Sequence, residues 1–239
     1  MVSIFNTYDA LSDFAAEQII NTVQQNPMAV LCLAAGDTPR LTYQKMVALA
    51  HKKQLSFSGV TFIGLDEWIG IGPAIEGSCY HFLNELIFTP LSIKGERIFF
   101  FNGMAANLQT ECKRIDATIK ELGPIDLTLV GIGINGHIGF NEPGIDPELG
   151  AHIVALDAVT ANVGQKYFRE EKLLTQGISL GMSQIMASGK VVLVANGIKK
   201  AAIIRETMQG NISNVVPASF IRNHPKGMIL LDKEAAAEL

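Results

Sequence analysis

An aspartate, a histidine and a glutamate lie in or just after short apolar runs in this chain. Asp66 follows VTFIGL (60–65), and His137 and Glu142 fall within GIGINGHIGFNEPG (131–144), which follows IDLTLV. A carboxylate such as Asp66 suits a general base that takes a proton from carbon beside a carbonyl or imine. A histidine suits proton movement at an oxygen, and a neighbouring glutamate fixes its tautomer and raises its basicity. Two other stretches address an anion. Gly36–Thr38 in AGDTPR (35–40) enters a helix and offers backbone N–H groups at the positive end of the dipole. Lys200 in NGIKK (196–200) adds a point charge.

The loop at 131–144 has a competing interpretation, because Gly131, Gly133 and Gly136 have the spacing of a dinucleotide-binding motif. That motif requires a helix opening within the glycines and an acidic residue ~20 positions on. HIGFNEPGIDPELG holds Pro143, Gly144, Pro147 and Gly150 instead, which is a loop. The glycines are better explained as letting the backbone turn sharply, so that His137 and Glu142 face a substrate.

The elements that must position these residues alternate along the chain. Strand-like runs recur at 29–34, 60–65, 97–101, 126–132, 190–195 and 227–231. Helical periodicity occupies 9–23, 38–50, 106–122 and 198–210, with Thr38 as N-cap and Pro39 at the first position of the second helix. Continuous apolar strands alternating with helices predict an α/β chain, a doubly wound, mostly parallel, Rossmann-like sheet with helices on both faces. No repeat or linker divides it, so residues 1–239 read as a single domain. Ligands of such sheets sit beyond the carboxyl ends of the strands. Thr38, Asp66, Asn135, His137, Glu142 and Lys200 all follow strand runs and are therefore expected on one edge. A base and a histidine beside a phosphate seat match aldose–ketose isomerisation in triosephosphate isomerase, on another fold. From the residues alone the chain is a phosphorylated small-molecule isomerase or hydrolase.

Composition narrows the partners. The formal charge of −4 argues against nucleic acid, and no apolar stretch reaches the ~20 residues that span a bilayer. Cys32, Cys79 and Cys112 are unpatterned and the N-terminus lacks a basic cluster, which together suit a reducing cytoplasm. The five histidines form no metal-binding cluster. Trp68, the sole tryptophan, reads as a packing residue, His81 as structural with a site role open, and His51 and His224 as surface or turn residues.

AGDTPRLTY (35–43), IGLDEW (63–68), GIGINGHIGFNEPG and GIKKA (197–201) together resemble the glucosamine-6-phosphate deaminase/isomerase family, from about residue 30 to about residue 230. The resemblance implies a sugar-phosphate isomerase type of fold and an amino-sugar phosphate as substrate, with no metal or organic cofactor. The sister 6-phosphogluconolactonases continue their glycine–histidine loop without FNEP, which makes lactone hydrolysis the lesser alternative. A sugar-phosphate sensor is another, but retention of Asp66, His137 and Glu142 favours catalysis. Two segments, ELGAHIVALDAVT (148–160) and VVPASFIRNHP (215–225), resemble the galactosamine-6-phosphate branch, which makes tagatose 6-phosphate and ammonia the expected products. The glucosamine enzyme, giving fructose 6-phosphate, is the alternative.

Carried over, the catalytic set is Asp66, Asn135, His137 and Glu142. His137 helps open the pyranose, with Glu142 holding it and Asn135 nearby, while Asp66 moves the C2 proton. The family's phosphate-binding arginine is missing, which leaves Gly36, Asp37, Thr38, Lys200 and His152 to hold phosphate. Asp37 stands where the family commonly has Gly or Ser. Its carboxylate would be repelled by phosphate, so it is expected to turn toward a sugar hydroxyl or solvent. The sequence ends with GMILLDKEAAAEL (227–239), without the extension of the hexameric allosteric members, which implies a monomer or small homo-oligomer. A lid over the site is expected around 144–175.

Overall fold

A computed structural model of the chain describes all 239 residues. The six apolar runs form the strands β2 (Val30–Leu33), β3 (Thr61–Gly64), β5 (Ile98–Phe99), β6 (Leu127–Val130), β9 (Val191–Ala195) and β10 (Gly227–Asp232), and Val2–Phe5, not expected as a strand, adds β1. They build one seven-stranded sheet in the order β1-β10-β9-β6-β2-β3-β5, with every pair parallel. Alternation along each strand sends side chains to opposite faces. Val30 and Cys32 join one core with Val130, Leu193 and Ile229, and Leu31 and Leu33 join the other with Leu127, Val192 and Leu230. The two cores hold 26 and 24 buried residues, so the sheet is covered almost equally on both faces, as the doubly wound reading expects.

Helices α1 (Tyr8–Gln25) and α2 (Asp37–Lys52) cover one face with Leu11, Ile19, Tyr43 and Met46. On the other face lie α4 (Leu108–Leu122), α6 (Met182–Met186) and α7 (Ala201–Gln209), through Ile115, Ile185 and Ile204. Burial of each such side chain contributes ~1.5–3 kcal/mol relative to exposure. Strand order runs outward from β2 through β3 and β5, and in the other direction from β6 through β9 and β10. The chain thus reverses between β2 and β6, the place where sheets of this type open a crevice.

A second, three-stranded antiparallel sheet was not expected from the sequence pattern. It joins β4 (Asp66–Trp68), β8 (Gln176–Ser179) and β7 (His152–Ala155), pairing Asp66 with Ser179 and Ser179 with His152. Asp-Glu-Trp and Gln-Gly-Ile-Ser carry too much charge and glycine to read as strands, and tertiary pairing overrides propensity here. Between these strands, α3 (Cys79–Leu83) and α5 (Ala158–Gly164) complete the wall of the crevice. The segment expected as a lid therefore contains β7 and α5. No helix is long and apolar enough to cross a membrane.

Candidate active site

The crevice between β2 and β6 deepens into a cavity of about 480 Å³, lined by the loops after β2, β3, β6 and β9 and by α3 and α5. Asp66 is its buried acid. It is the buried first residue of β4, two residues beyond the end of β3. Burial pushes its carboxyl up to about 6, against the Cys79 thiol and the charge of His137, which favour the ionised form. Next to it, Glu67 accepts N–H bonds from Trp68 (2.9 Å), Cys79 and Tyr80 (3.0 Å each), which fastens the start of α3 to β4. Burial still raises Glu67 to about 7. Trp68 packs against Phe140 (4.6 Å between ring centroids) and Phe168 (6.1 Å), in keeping with a packing residue, and also lines the cavity.

The loop after β6 presents His137. Its Nδ1 lies 3.1 Å from Thr160 Oγ1 on α5 and 3.4 Å from Glu142 Oε2. Asn135 joins the same group, donating from Nδ2 to Glu142 Oε2 (2.9 Å) and accepting the His137 N–H at Oδ1 (3.3 Å). Burial raises Glu142, but the His137 ring, Thr160 and Asn135 together outweigh it and hold the carboxyl below its ordinary value. Glu142 and Asn135 stand behind the histidine, while His137 itself faces the cavity.

Two glycines of this loop, Gly133 and Gly139, are explained by what stands against them. A Cβ on Gly133 would lie 2.4–2.6 Å from three atoms of the His137 ring. On Gly139, which has φ +56, it would lie 2.9 Å from Ser179 Oγ and 3.3 Å from Asp66 Oδ2. They are absent side chains that admit the histidine and the acid, not a cradle for a dinucleotide.

On the opposite wall α2 begins at Gly36, an N-cap with φ +125 and no side-chain hydrogen bond to the first turn. Thr38 is thus the second helical residue and not the cap expected from its type. The Tyr8 hydroxyl donates to the Thr38 carbonyl (2.8 Å), fixing the turn from behind. Lys200 extends its ammonium to the Ile132 carbonyl (2.5 Å). Burial, and then the charge of Lys166, lower Lys200 to about 8. Lys166 and Arg40 also line this side of the cavity.

The structure therefore brings together Gly36, Asp37, Thr38, Asp66, His137 and Lys200 in one cavity, with Asn135 and Glu142 directly behind. His152 is the exception. It opens β7, is buried, and does not line the cavity; its Nδ1 lies 3.0 Å from the Gly150 carbonyl and burial lowers its pKa. It contributes nothing to an anion seat there. Asp37 lines the cavity about half exposed, and its carboxylate pairs with Lys166 at 2.7 Å, a partner the sequence did not suggest. Lys166, Tyr167, Thr160 and Cys79 were not singled out in the sequence, since none directly follows a strand of the main sheet. No three His, Cys, Asp or Glu side chains converge as a metal-ligand set.

Comparison with known proteins agrees with this geometry. Residues 6–230 match the family model described as glucosamine-6-phosphate isomerases/6-phosphogluconolactonase. A relative from Thermoanaerobacter pseudethanolicus, named glucosamine-6-phosphate deaminase, is 38% identical over 237 residues, covering 99% of this chain and 94% of its own. A solved monomeric glucosamine-6-phosphate deaminase superposes with a TM-score of 0.96 at 36% identity, covering 100% of this chain and 99% of its own. The 6-phosphogluconolactonase of Trypanosoma brucei shares the fold at a TM-score of 0.75 and 20% identity, covering 100% of this chain and 98% of its own. The two closer of these proteins carry the glucosamine name, and the galactosamine branch expected from segments 148–160 and 215–225 finds no support in them.

Proposed function

From the premise that the chain belongs to the family of glucosamine-6-phosphate isomerases and 6-phosphogluconolactonases, we propose that it deaminates glucosamine 6-phosphate to fructose 6-phosphate and ammonia. The observation that carries this reading is the placing of a buried carboxylate, Asp66, in one cavity with a held histidine and a cationic helix start.

The phosphate sits at the N-terminus of α2 between Lys200 and Lys166, where backbone N–H groups and two ammonium groups favour a dianion. His137 moves the proton between the anomeric hydroxyl and the ring oxygen that opens the pyranose. Glu142, with Asn135 and Thr160 around it, keeps the imidazole oriented. Asp66 then takes the proton from C2 of the open aldehyde. The electron pair of that bond forms C1=C2 and the carbonyl oxygen gains a proton, which gives an enolamine. Return of the proton to C1 leaves an iminium at C2; water adds there, ammonia leaves, and the ketose remains. The burial that lifts Asp66 to about 6 suits this work, because the group is ionised at neutral pH yet basic enough to hold a carbon-bound proton in transit.

Glucosamine 6-phosphate deuterated at C2 tests this. Ammonia release should show a primary isotope effect on kcat/KM, and Asp66→Asn should lose turnover by ~10³-fold or more, a general base contributing ~10²–10⁴, while still binding the sugar phosphate. Turnover of Asp66→Asn near the wild-type rate would remove Asp66 from the base role.

A further inference from the structure

Asp37 is the first residue of α2, and its carboxylate lies 2.7 Å from the Lys166 ammonium. Both side chains line the same cavity as Lys200, and both are about half exposed. Lys166 is held in place from its own side, with its Nζ 4.9 Å from the centre of the Tyr167 ring. Tyr167 stands close to the helix start, its hydroxyl 3.5 Å from where a Cβ on Gly36 would lie. One carboxylate thus occupies the place where the field of α2 and an ammonium act on the same charge.

A negative charge at the first position of a helix is stabilised by the dipole and the free N–H groups. The same field attracts a phosphate, so the two anions compete. Resting on the reading of this wall as a phosphate seat, we propose that Asp37 is a built-in stand-in for the phosphate. It holds Lys166 over the seat while the seat is empty and yields that ammonium to an incoming phosphate, so it sets phosphate affinity. The pair is open to water on both sides and exchanges partners at little cost. Lys200 takes no part in this exchange, since its ammonium lies against the Ile132 carbonyl and not against Asp37. Asp37 therefore weakens phosphate binding twice, by occupying Lys166 and by repelling the dianion. It also keeps Lys166 from drifting into solvent between turnovers.

Isothermal titration with inorganic phosphate at pH 7 tests this on the wild type, Asp37→Asn and Asp37→Ser. Both replacements suit a helix start, and both should bind phosphate about three- to fivefold more tightly, the scale that an exposed ion pair commands. Lys166→Met should bind it more weakly than wild type. A merely structural tie between α2 and Lys166 would predict loosening on its removal, so unchanged or weaker binding in both Asp37 variants overturns the proposal. Ammonia release by the wild type is measured separately. If the wild type releases none from glucosamine 6-phosphate while the Asp37 variants tighten on phosphate, the deaminase reading falls and the role of Asp37 stands. If ammonia is released and the variants do not tighten, the role of Asp37 falls alone.

Discussion

Replacement of Gly133 by alanine isolates the placement of His137. The backbone of Gly133 does not lie in the left-handed region, so alanine fits its conformation. The new methyl, however, would stand 2.4 Å from Cε1, 2.5 Å from Nδ1 and 2.6 Å from Nε2 of His137. Ordinary contact begins near 3.4 Å, so the imidazole must retreat by about 1 Å, a misplacement of the size that costs ~10²-fold in rate. Retreat also breaks the 3.1 Å contact with Thr160 and the 3.4 Å contact with Glu142. The loop itself has no reason to unfold, because the Gly133 N–H bond to the His137 carbonyl (3.0 Å) and the Gly136 N–H bond to the Gly133 carbonyl (3.1 Å) involve backbone only. The expected result is a kcat for ammonia release lower by about 10²-fold, with inorganic phosphate still bound and the melting temperature within a few degrees of wild type. A kcat within threefold of wild type would refute the account of why glycine stands at 133 and would loosen the link between the position of His137 and turnover.

Two further predictions concern pH. A base raised to about 6 is ionised only above that value, so kcat/KM should fall as pH drops through 6, tenfold per unit at the limit; a limb near 4 in the pH–rate profile would show an acid that burial does not perturb. Lys200 is lowered to about 8, so its ammonium is lost as pH rises through 8 and KM should climb there. Lys200→Met should have a high KM at every pH and lack that climb, and a KM that rises equally above pH 8 in the variant would assign the titration to another group.

What the sequence showed, and what it hid, follows the range of the interactions. Six strands of the main sheet are near-continuous apolar runs, most of them buried on both faces, and they were legible for that reason. The seventh, β1, is a half-exposed edge strand of four residues and was not foreseen. Asn135, His137 and Glu142 lie within eight residues of one another, so their meeting around a tight loop could be foreseen. Thr38 was misread as a cap because its type favours that position, whereas the conformation at Gly36 starts the helix two residues earlier. β4, β7 and β8 were missed because each is stable only through pairing with segments far along the chain, as when Glu67 meets Ile178. That hidden sheet explains the error over His152, since β7 carries it into the protein against β8 and away from the cavity. Lys166 and Thr160 escaped notice for the same cause. They reach the site on α5 and the turn that follows it, which no strand of the main sheet announces.

Ammonia release followed side by side from glucosamine 6-phosphate and galactosamine 6-phosphate, with the ketose identified, bears most directly on the central claim. The account predicts the larger kcat/KM for the gluco sugar, with fructose 6-phosphate as its product. Preference for the galacto sugar would keep the chemistry of Asp66 and His137 and restore the branch that the later segments resemble. Ammonia from neither sugar, with 6-phosphogluconolactone hydrolysed instead, would contradict the account.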